Sequence, residues 1–427
     1  MLEAPLARGR EGLHHKFLPR REKHGLSCGM LHPDLLDSAQ DLAERIVSLR
    51  RAIHAEPEIG LQTPLTMAKV RAALLHLPLE WREGGATTGA VATLKGGKPG
   101  RRVLLRGDMD ALPMPEETGL DFASTIPGRM HACGHDTHTA MLAGAAELLA
   151  ARREELAGEV QFMFQPGEEG YHGARHMLDD GLIDPLPDAA FALHIMPNAR
   201  HGAVAGRAGP LMAAADEFDI TIIGRGGHAS MPHDTLDPVP GACAVVSALQ
   251  AAVTRRFNAA DAVVVTVTML EAGTAHNVIP NQARLRGTMR TLSAANRKLV
   301  HELVEQTAHG VAAGYGLTAE ITIRHGFPVT VCDARAVDLG QAVTGDLFGD
   351  AAWTPMAAPI MGAEDFSYLL EKVPGAMFFL GVAPEGDDWR SCCSIHSTRM
   401  VVDESVLPRG TALLAGCAIR FLERGFD

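Results

Sequence analysis

Residues 130–138, MHACGHDTH, place Cys133 two positions before His135 in an acidic chain. Such a cysteine could be a nucleophile, a redox thiol or a metal ligand. A nucleophilic cysteine needs a base and a group that orients the base, and a histidine and an aspartate are available within the segment. The segment alone therefore leaves the choice open, and chemistry-bearing residues elsewhere in the chain must decide it.

Other acids and histidines follow strand-like segments of the sequence. They are Asp108 and Asp110 after RVLLRG, Glu168 and Glu169 after VQFMFQPG, His194 near the end of AAFALHI, and His396 within SCCSIHST. Residues far apart in sequence converge at the carboxyl ends of the strands in a doubly wound sheet. We therefore expect these side chains to meet Cys133 and His135 in one site.

The types of these side chains indicate metal chemistry. Thiolate, imidazole and carboxylate together suit zinc or a neighbouring transition ion better than magnesium or calcium. These candidates are more than one tetrahedral catalytic ion needs, so the set favours two ions about 3.5–4 Å apart, with the Cys133 thiolate as a bridge. The adjacent carboxylates of Glu168 and Glu169 leave a turn in different directions. One could bind metal while the other takes a proton from the attacking water.

The elements that must position these residues follow an α/β pattern. In residues 30–212, AVATLKG and RVLLRGD predict strands, TAMLAGAAELLAARREEL a helix, and VQFMFQ and AAFALHI further strands. In residues 328–427, AMFFLGV predicts another strand and ESVLPRGTALLAGCAIRFLERG a closing helix. Strands that alternate with helices indicate a sheet covered by helices. We expect these two segments to form one catalytic domain.

Residues 213–327 have an order of their own. EFDITIIG predicts a strand, PVPGACAVVSALQAAVTRR a helix, AVVVTVTML and ARLRGTMR strands, SAANRKLVHELVEQTAHGVAAGYG a helix and TAEITIRHG a strand. This βαββαβ order is that of a ferredoxin-like domain. Because such a unit can fold by itself, we predict that it is inserted into the first domain.

The composition excludes several classes of protein. A chain of 427 residues with 46% hydrophobic and 21% charged residues is typical of a two-domain globular enzyme. The net charge of −12 argues against a nucleic-acid partner, and we find no uninterrupted apolar run long enough to cross a bilayer. The odd number of cysteines, 7, favours a reducing cytoplasm over a disulfide framework.

The first 29 residues differ from the rest of the chain. They are basic, rich in glycine and proline, and lack the hydrophobic core of a secretory signal. We expect them to be a disordered extension, or to precede a true start at Met30.

Seven motifs, in order along the chain, resemble one family. They are RGDMDALPMPEETG, MHACGHDTH, FQPGEEG, FALHI, GRGGHAS, AHNVIPNQARLRGTMR and MGAEDFSYLL. Together they resemble the hippurate hydrolase and indole-acetyl-amino-acid hydrolase family, amidohydrolases of the larger aminoacylase and carboxypeptidase group. The resemblance begins near Asp34 and continues to the carboxyl terminus, so it does not cover the first 29 residues.

The resemblance implies a mixed-sheet, metallopeptidase-like catalytic domain that holds two divalent transition-metal ions per subunit (zinc, manganese, nickel or cobalt). Its motifs match five metal ligands: Cys133, His135, Glu169, His194 and His396. They also make Glu168 the general base, and make Asp110 an acid that fixes and polarises a ligand.

The resemblance also assigns roles to the inserted domain, which would act as lid and homodimerisation surface. His228 in GRGGHAS would reach the substrate carbonyl, in its own chain or across a dimer interface, and Asn277 and Arg290 would hold the substrate carboxylate. Tyr171 and His172 stand where the family often has small residues, which leaves the acyl preference open.

The implied activity is hydrolysis of an N-acyl amino acid into a carboxylic acid and a free amino acid. The acyl group and the amino acid stay open. A metal-free cysteine hydrolase that uses Cys133 is the first alternative, and its activity would survive chelators. The second is a non-catalytic amide- or peptide-binding protein, which would lack a base or a ligand, and no such position is missing in the sequence.

Overall fold

The computed structural model describes residues 34–386, 388, 390 and 393–427. The predicted extension at residues 1–29 lies outside the described residues. The α-helices are α1 Leu35–Asp41, α2 Ala43–His54, α3 Pro64–Leu74, α4 His135–Ala151, α5 Gly173–Asp179, α6 Pro238–Arg256, α7 Ala294–Gly314, α8 Ala334–Phe348, α9 Ser367–Leu370 and α10 Leu407–Arg424.

The β-strands belong to one large sheet, one smaller sheet and two short ladders. Their bounds are β1 Glu80–Glu83, β2 Ala90–Lys95, β3 Lys98–Asp108, β4 Ala157–Gln165, β5 Ala189–Met196, β6 Val204–Gly206, β7 Gly209–Met212, β8 Ala214–Ile223, β9 Gly227–His228, β10 Val263–Ala272, β11 Val278–Ile279, β12 Gln282–Thr291, β13 Thr318–His325, β14 Thr330–Cys332, β15 Trp353–Pro355 and β16 Gly375–Gly381.

The large sheet has eight strands in the order β1-β2-β4-β3-β5-β16-β6-β15. The central strands β4, β3, β5 and β16 run parallel, whereas β1, β2 and β6 add antiparallel pairs. The predicted α/β fold with a mixed sheet is therefore confirmed. Every residue of β16 is buried, which explains its continuous apolar run, since parallel strands are covered on both faces.

The smaller sheet has four antiparallel strands in the order β10-β12-β8-β13. Along the chain its elements follow as β8, α6, β10, β12, α7 and β13, which is a βαββαβ order. They enclose an apolar cluster separate from that of the large sheet, with members between Phe218 and Ile323. The domain boundaries at residues 213 and 327 stay predictions, as does the role of this sheet as a lid.

The chain passes between the large sheet and the smaller sheet twice, and the two connecting segments lie side by side. β7 pairs with β14 in antiparallel register, with Thr330 opposite Met212. Just beyond this ladder, the backbone N–H of Ala215 donates to the carbonyl oxygen of Phe327 at 3.1 Å. This junction forms one wall of the candidate site.

The closing helix is more apolar than the sequence analysis recognised. Glu404–Arg424 is long and apolar enough to pass as a membrane-spanning helix by length and composition, but 89% of its most apolar window is buried inside the fold. Helix α10 packs against α4 and β3, so its apolar side chains serve the protein core.

Candidate metal centre

The candidate site lies at the carboxyl ends of the central parallel strands. β3 ends at Asp108, β4 ends at Gln165, and His194 lies in the second half of β5. These neighbouring strands run in the same direction, so their carboxyl ends and the following loops meet at one edge of the sheet.

The turn that carries Cys133 requires a glycine. Gly134 has a φ of +87°, and a Cβ at this position would lie 2.5 Å from Cγ1 of Ile195. Glycine alone satisfies both the left-handed backbone and the close approach of β5. Helix α4 begins at the next residue, so the turn fixes Cys133 and His135 on either side of it.

The five predicted ligands come together in two groups that share Cys133. The donor atoms of Cys133, His135 and His194 lie within 4.8 Å of one another, and so do those of Cys133, Glu169 and His396. The Cys133 Sγ is 3.4 Å from His194 Nε2, and Glu169 Oε1 is 3.3 Å from His396 Nε2. A thiolate common to both groups is what a bridge between two ions requires.

Several donor atoms in this cluster have no hydrogen-bond partner among the described residues. Both ring nitrogens of His135 and Oε1 of Glu169 are buried, and their carboxylate or imidazole neighbours lie only at ion-pair distances of 3.3–3.9 Å. Since buried polar atoms are nearly always hydrogen-bonded, these atoms indicate ion coordination. His194 Nδ1 lies 2.6 Å from the Ile195 carbonyl oxygen and donates to it, which leaves Nε2 as the ligand atom. The residues therefore fit divalent transition-metal ions.

The electrostatics of the cluster favour positive charge. The approach of Cys133 and Glu169 raises the pKa of His396 to about 10. Burial raises the pKa of the Cys133 thiol itself. A raised pKa disfavours the free thiolate that a nucleophile needs, whereas a bound cation stabilises a thiolate. The site thus favours a cysteine ligand over a cysteine nucleophile.

Asp110 connects a ligand to the loop that carries the two glutamates. Its Oδ1 accepts from the backbone N–H of Glu168 at 2.9 Å, and its Oδ2 accepts from that of Glu169 at 3.1 Å. The same carboxylate approaches His135 Nδ1 at 3.4 Å. These contacts suit the supporting role that the resemblance implied.

Glu168 is a buried carboxyl that lines the cavity beside the ligands. Burial, followed by the nearby carboxylates of Glu364 and Glu169, raises its pKa well above the usual range. A carboxyl with a raised pKa can both accept and return a proton near neutral pH.

His138 and Asp108 also lie next to the ligands, but their hydrogen bonds are already satisfied. The backbone N–H of Ile195 donates to His138 Nε2 at 2.9 Å, so His138 Nδ1 carries the proton and donates to Asp108 Oδ1 at 2.6 Å. Asp108 Oδ2 accepts from Arg106 at 2.6 Å. These residues therefore support the ligand positions and are poor ligands themselves.

A buried network under the site was not predicted from the sequence. The guanidinium of Arg106, which is 2% exposed, donates to Asp108 at 2.6 Å, Glu364 at 2.9 Å, Asp365 at 3.0 Å and Gln165 at 2.8 Å. Glu364 also lines the cavity. The available signals were an arginine in the apolar run RVLLRGD and the adjacent acids of MGAEDFSYLL.

A cavity of about 560 Å³ joins the ligand cluster to the smaller sheet. Its wall on that side includes Arg290, whose guanidinium makes no hydrogen bond or ion pair with another described residue. The structure therefore brings Arg290 to the cavity that is lined by Glu168 and by all the ligand candidates except His135.

His228 and Asn277 lie elsewhere on the same chain. They are neighbours, because β9 pairs with β11 and the Ala229 N–H donates to the Asn277 carbonyl oxygen at 3.1 Å. Both are exposed, and neither lines the cavity. Within the described part of one chain, these two predicted substrate contacts are not brought to the ligand cluster.

Comparison with known proteins gives the class of protein to which this fold and cluster belong. Residues 104–420 match the model of Peptidase family M20/M25/M40. The chain therefore belongs to this peptidase family, and it is a metal-dependent amidohydrolase.

Individual relatives agree over nearly their whole length. The chain is 38% identical to N-acetylcysteine deacetylase of Bacillus subtilis (89% of this chain and 97% of that one). It is 37% identical to IAA-amino acid hydrolase ILR1-like 2 of Arabidopsis thaliana (88% and 85%). The Bacillus subtilis YXEP protein, described as a dinuclear metal binding peptidase from the M20 family, superimposes with a TM-score of 0.78 at 34% identity (90% and 99%). The resemblance identified from the motifs is confirmed.

Proposed function

We propose that this enzyme hydrolyses the amide bond of N-acyl amino acids, releasing a carboxylic acid and an amino acid. One observation carries the proposal: the carboxyl of Glu168, four of the five candidate ligands and the guanidinium of Arg290, which has no partner among the described residues, line a single cavity. The fifth candidate ligand, His135, has its donor atom within 4.8 Å of those of Cys133 and His194. Relatives named for N-acetylcysteine and for IAA-amino acid conjugates act on amides of this kind, which supports the substrate class.

The proposed ligands would hold two divalent transition-metal ions, with Cys133 between them. When bound, such ions lower the pKa of a water towards about 7 and polarise an amide carbonyl. Zinc, manganese, nickel and cobalt all accept thiolate, imidazole and carboxylate donors, so the donor set alone does not select the metal.

Glu168 would perform both proton transfers of the reaction. Its carboxylate takes a proton from the attacking water as the water oxygen bonds to the amide carbon. It then delivers that proton to the amide nitrogen as the carbon–nitrogen bond breaks. Asp110, through its two hydrogen bonds to the backbone of the loop, keeps Glu168 beside the ligands during both steps.

Arg290 would hold the substrate carboxylate, because its planar guanidinium can donate two parallel hydrogen bonds to that group. Asn277 would assist it, and His228 would stabilise the developing oxyanion. Because both residues are exposed and outside the cavity of their own chain, we place them in the site of a partner subunit. A homodimer through the smaller sheet is thus part of the proposal.

Hydrolysis of a substrate panel with and without a chelator tests the proposed function. Benzoyl, acetyl and indole-acetyl amino acids are supplied to the purified protein, and the free amino acid is measured. Hydrolysis that stops with chelator and returns with added divalent metal supports the proposal. Chelator-resistant hydrolysis that thiol alkylation abolishes would favour the cysteine hydrolase, and binding without hydrolysis would favour a binding protein.

A further inference from the structure

His172 has an unusual position in the loop that carries the two glutamates. Its φ of +58° lies in the left-handed region, which few non-glycine residues adopt, although histidine is enriched among those that do. Its ring lines the cavity and packs edge-to-face on Phe327, with 5.0 Å between ring centroids. The imidazole is therefore fixed against the wall where the two sheets join.

A hydrogen-bonded chain determines which ring nitrogen of His172 carries the proton. His172 Nδ1 lies 2.8 Å from the Tyr368 hydroxyl, and that hydroxyl lies 3.2 Å from the Gly326 carbonyl oxygen. A carbonyl oxygen can only accept, so the single hydroxyl proton of Tyr368 goes to Gly326 when both contacts are hydrogen bonds. His172 Nδ1 must then be the donor to Tyr368.

The other nitrogen of the His172 ring is left as an acceptor. Burial, together with the nearby positive charge of Arg175, lowers the pKa of His172, which favours the neutral ring. A neutral imidazole protonated at Nδ1 has a lone pair at Nε2. Nε2 makes no hydrogen bond with another described residue, although the ring lines the cavity.

The cavity lining is mixed and includes charged residues such as Arg324, but the residue that packs on the His172 ring, Phe327, is apolar. Phe327 and Met212, which are 8% and 7% exposed, and the side chain of Ile360 line the same cavity. A neutral hydrogen-bond acceptor beside apolar side chains favours a flat, mostly apolar group that carries one donor, because such a group can pack on the apolar residues while its donor is paired.

We propose that His172 determines substrate specificity by accepting, at Nε2, a hydrogen bond from an N–H or O–H group of the substrate. The inference rests on the proposed function. It assigns as preferred substrates the N-acyl amino acids with an aromatic ring that bears a hydroxyl or a ring N–H, on the acyl or the amino-acid side. Tyr368 is a positioning residue, because it fixes the proton on Nδ1.

Two matched pairs of substrates test the inference on the metal-loaded full chain. N-(4-hydroxybenzoyl)glycine is compared with N-(4-methylbenzoyl)glycine, and N-benzoyltyrosine with N-benzoylphenylalanine. One neutral hydrogen bond predicts that the hydroxyl member of at least one pair has a kcat/KM about 3- to 10-fold higher.

Three variants show whether His172 causes this preference. His172→Asn tolerates the left-handed backbone, and it should reduce the ratio within the preferred pair to about 1. Tyr368→Phe leaves the His172 ring in place but removes the hydrogen-bond partner of its Nδ1. It should also reduce the ratio of kcat/KM within the preferred pair. The matched control is Tyr171→Phe, an exposed neighbour that does not line the cavity, and it should keep the wild-type ratio.

Equal kcat/KM within both pairs for the wild type would overturn the inference and leave the proposed function standing. A preference that persists in both His172→Asn and Tyr368→Phe would also overturn the inference and leave the proposed function standing. No hydrolysis of these four compounds by a preparation that hydrolyses acetyl or indole-acetyl amino acids would overturn the inference alone. No hydrolysis of any N-acyl amino acid would overturn the proposed function, and the inference with it.

Discussion

Glu168 is the residue on which the proposed proton transfers depend. Glu168→Gln keeps the shape of the side chain but removes the basic oxygen, so kcat should fall by about 10²- to 10⁴-fold with KM little changed. Steady-state kinetics on an N-acyl amino acid measures this. Glu217→Gln, at an exposed acid on the other side of the cavity, is the control and should stay near wild type. Unchanged turnover in Glu168→Gln would remove Glu168 as the base.

Arg290 provides a second test at the residue scale. Arg290→Ala should raise KM about 10- to 100-fold for substrates with a free carboxylate, because a hydrogen bond to a charged group is lost. The corresponding amino-acid amides, which lack that charge, should be affected little. Arg324→Ala is the matched control, since Arg324 lines the same cavity but is paired with Glu217 at 3.8 Å. Equal losses for acids and amides would contradict the assignment.

The residues that could be predicted from sequence are those whose chemistry is restricted. Cysteine, histidine and paired acids after strand ends have few alternative roles, and the family motifs supplied their order. Arg106 was assigned no role, and His172 was connected only with the acyl preference, because their partners are remote in sequence. Arg106 bonds to Glu364, 258 positions away, and His172 bonds to Tyr368, 196 positions away. No local pattern records such pairs.

At the scale of elements, a buried ion-pair network joins α2 to the start of α4. His54 Nδ1 lies 2.8 Å from Asp136 Oδ2, and the Arg50 Nε donates to the same oxygen at 2.7 Å. His54 Nε2 lies 3.1 Å from Glu116 Oε1. Burial lowers the pKa of His54, but the carboxylates of Asp136 and Glu116 outweigh it and raise the pKa to about 9.

This network predicts how stability depends on pH. Because the folded pKa of His54 exceeds the unfolded value of 6.5, its contribution is fully present below pH 6.5 and is lost as pH rises through about 9. The contribution is about 3 kcal/mol in the free energy of unfolding. Urea unfolding at several pH values should show this loss in the wild type and a smaller one in His54→Gln. His76→Gln, at a half-exposed histidine, is the control. A slope that His54→Gln leaves unchanged would contradict the prediction.

Long elements were easier to predict than short ones. Helix α4 and strand β16 carry extended apolar patterns, and both were predicted. Strands β6 and β15 have three residues each, too few for a periodic signal, and tertiary pairing within the large sheet defines them. The chain from Leu35 to His54 forms two helices, α1 and α2, which are separated at Leu42.

At the scale of the whole molecule, the smaller sheet has an exposed apolar edge. Met269 and Leu270 on edge strand β10 are 41% and 45% exposed, and Val278 beside His228 is 51% exposed. An unpaired strand edge with apolar side chains invites pairing with another chain. These features support a homodimer in which His228 enters the partner's site.

Complementation of two inactive variants tests that arrangement. Glu168→Gln and His228→Ala should each be nearly inactive alone. A mixed dimer contains one subunit of each variant. One of its two sites would have both Glu168 and the partner's His228 intact. Random mixing by co-expression should therefore restore about a quarter of the wild-type activity. No recovery from a mixture that forms mixed dimers would place His228 in its own chain's site or outside the reaction.

The most direct test of the metal centre is anomalous diffraction from crystals grown with excess manganese or zinc. The five ligand candidates should surround two peaks about 3.5–4 Å apart, with the Cys133 sulfur between them. Peaks elsewhere, or none among Cys133, His135, Glu169, His194 and His396, would contradict a two-metal hydrolase.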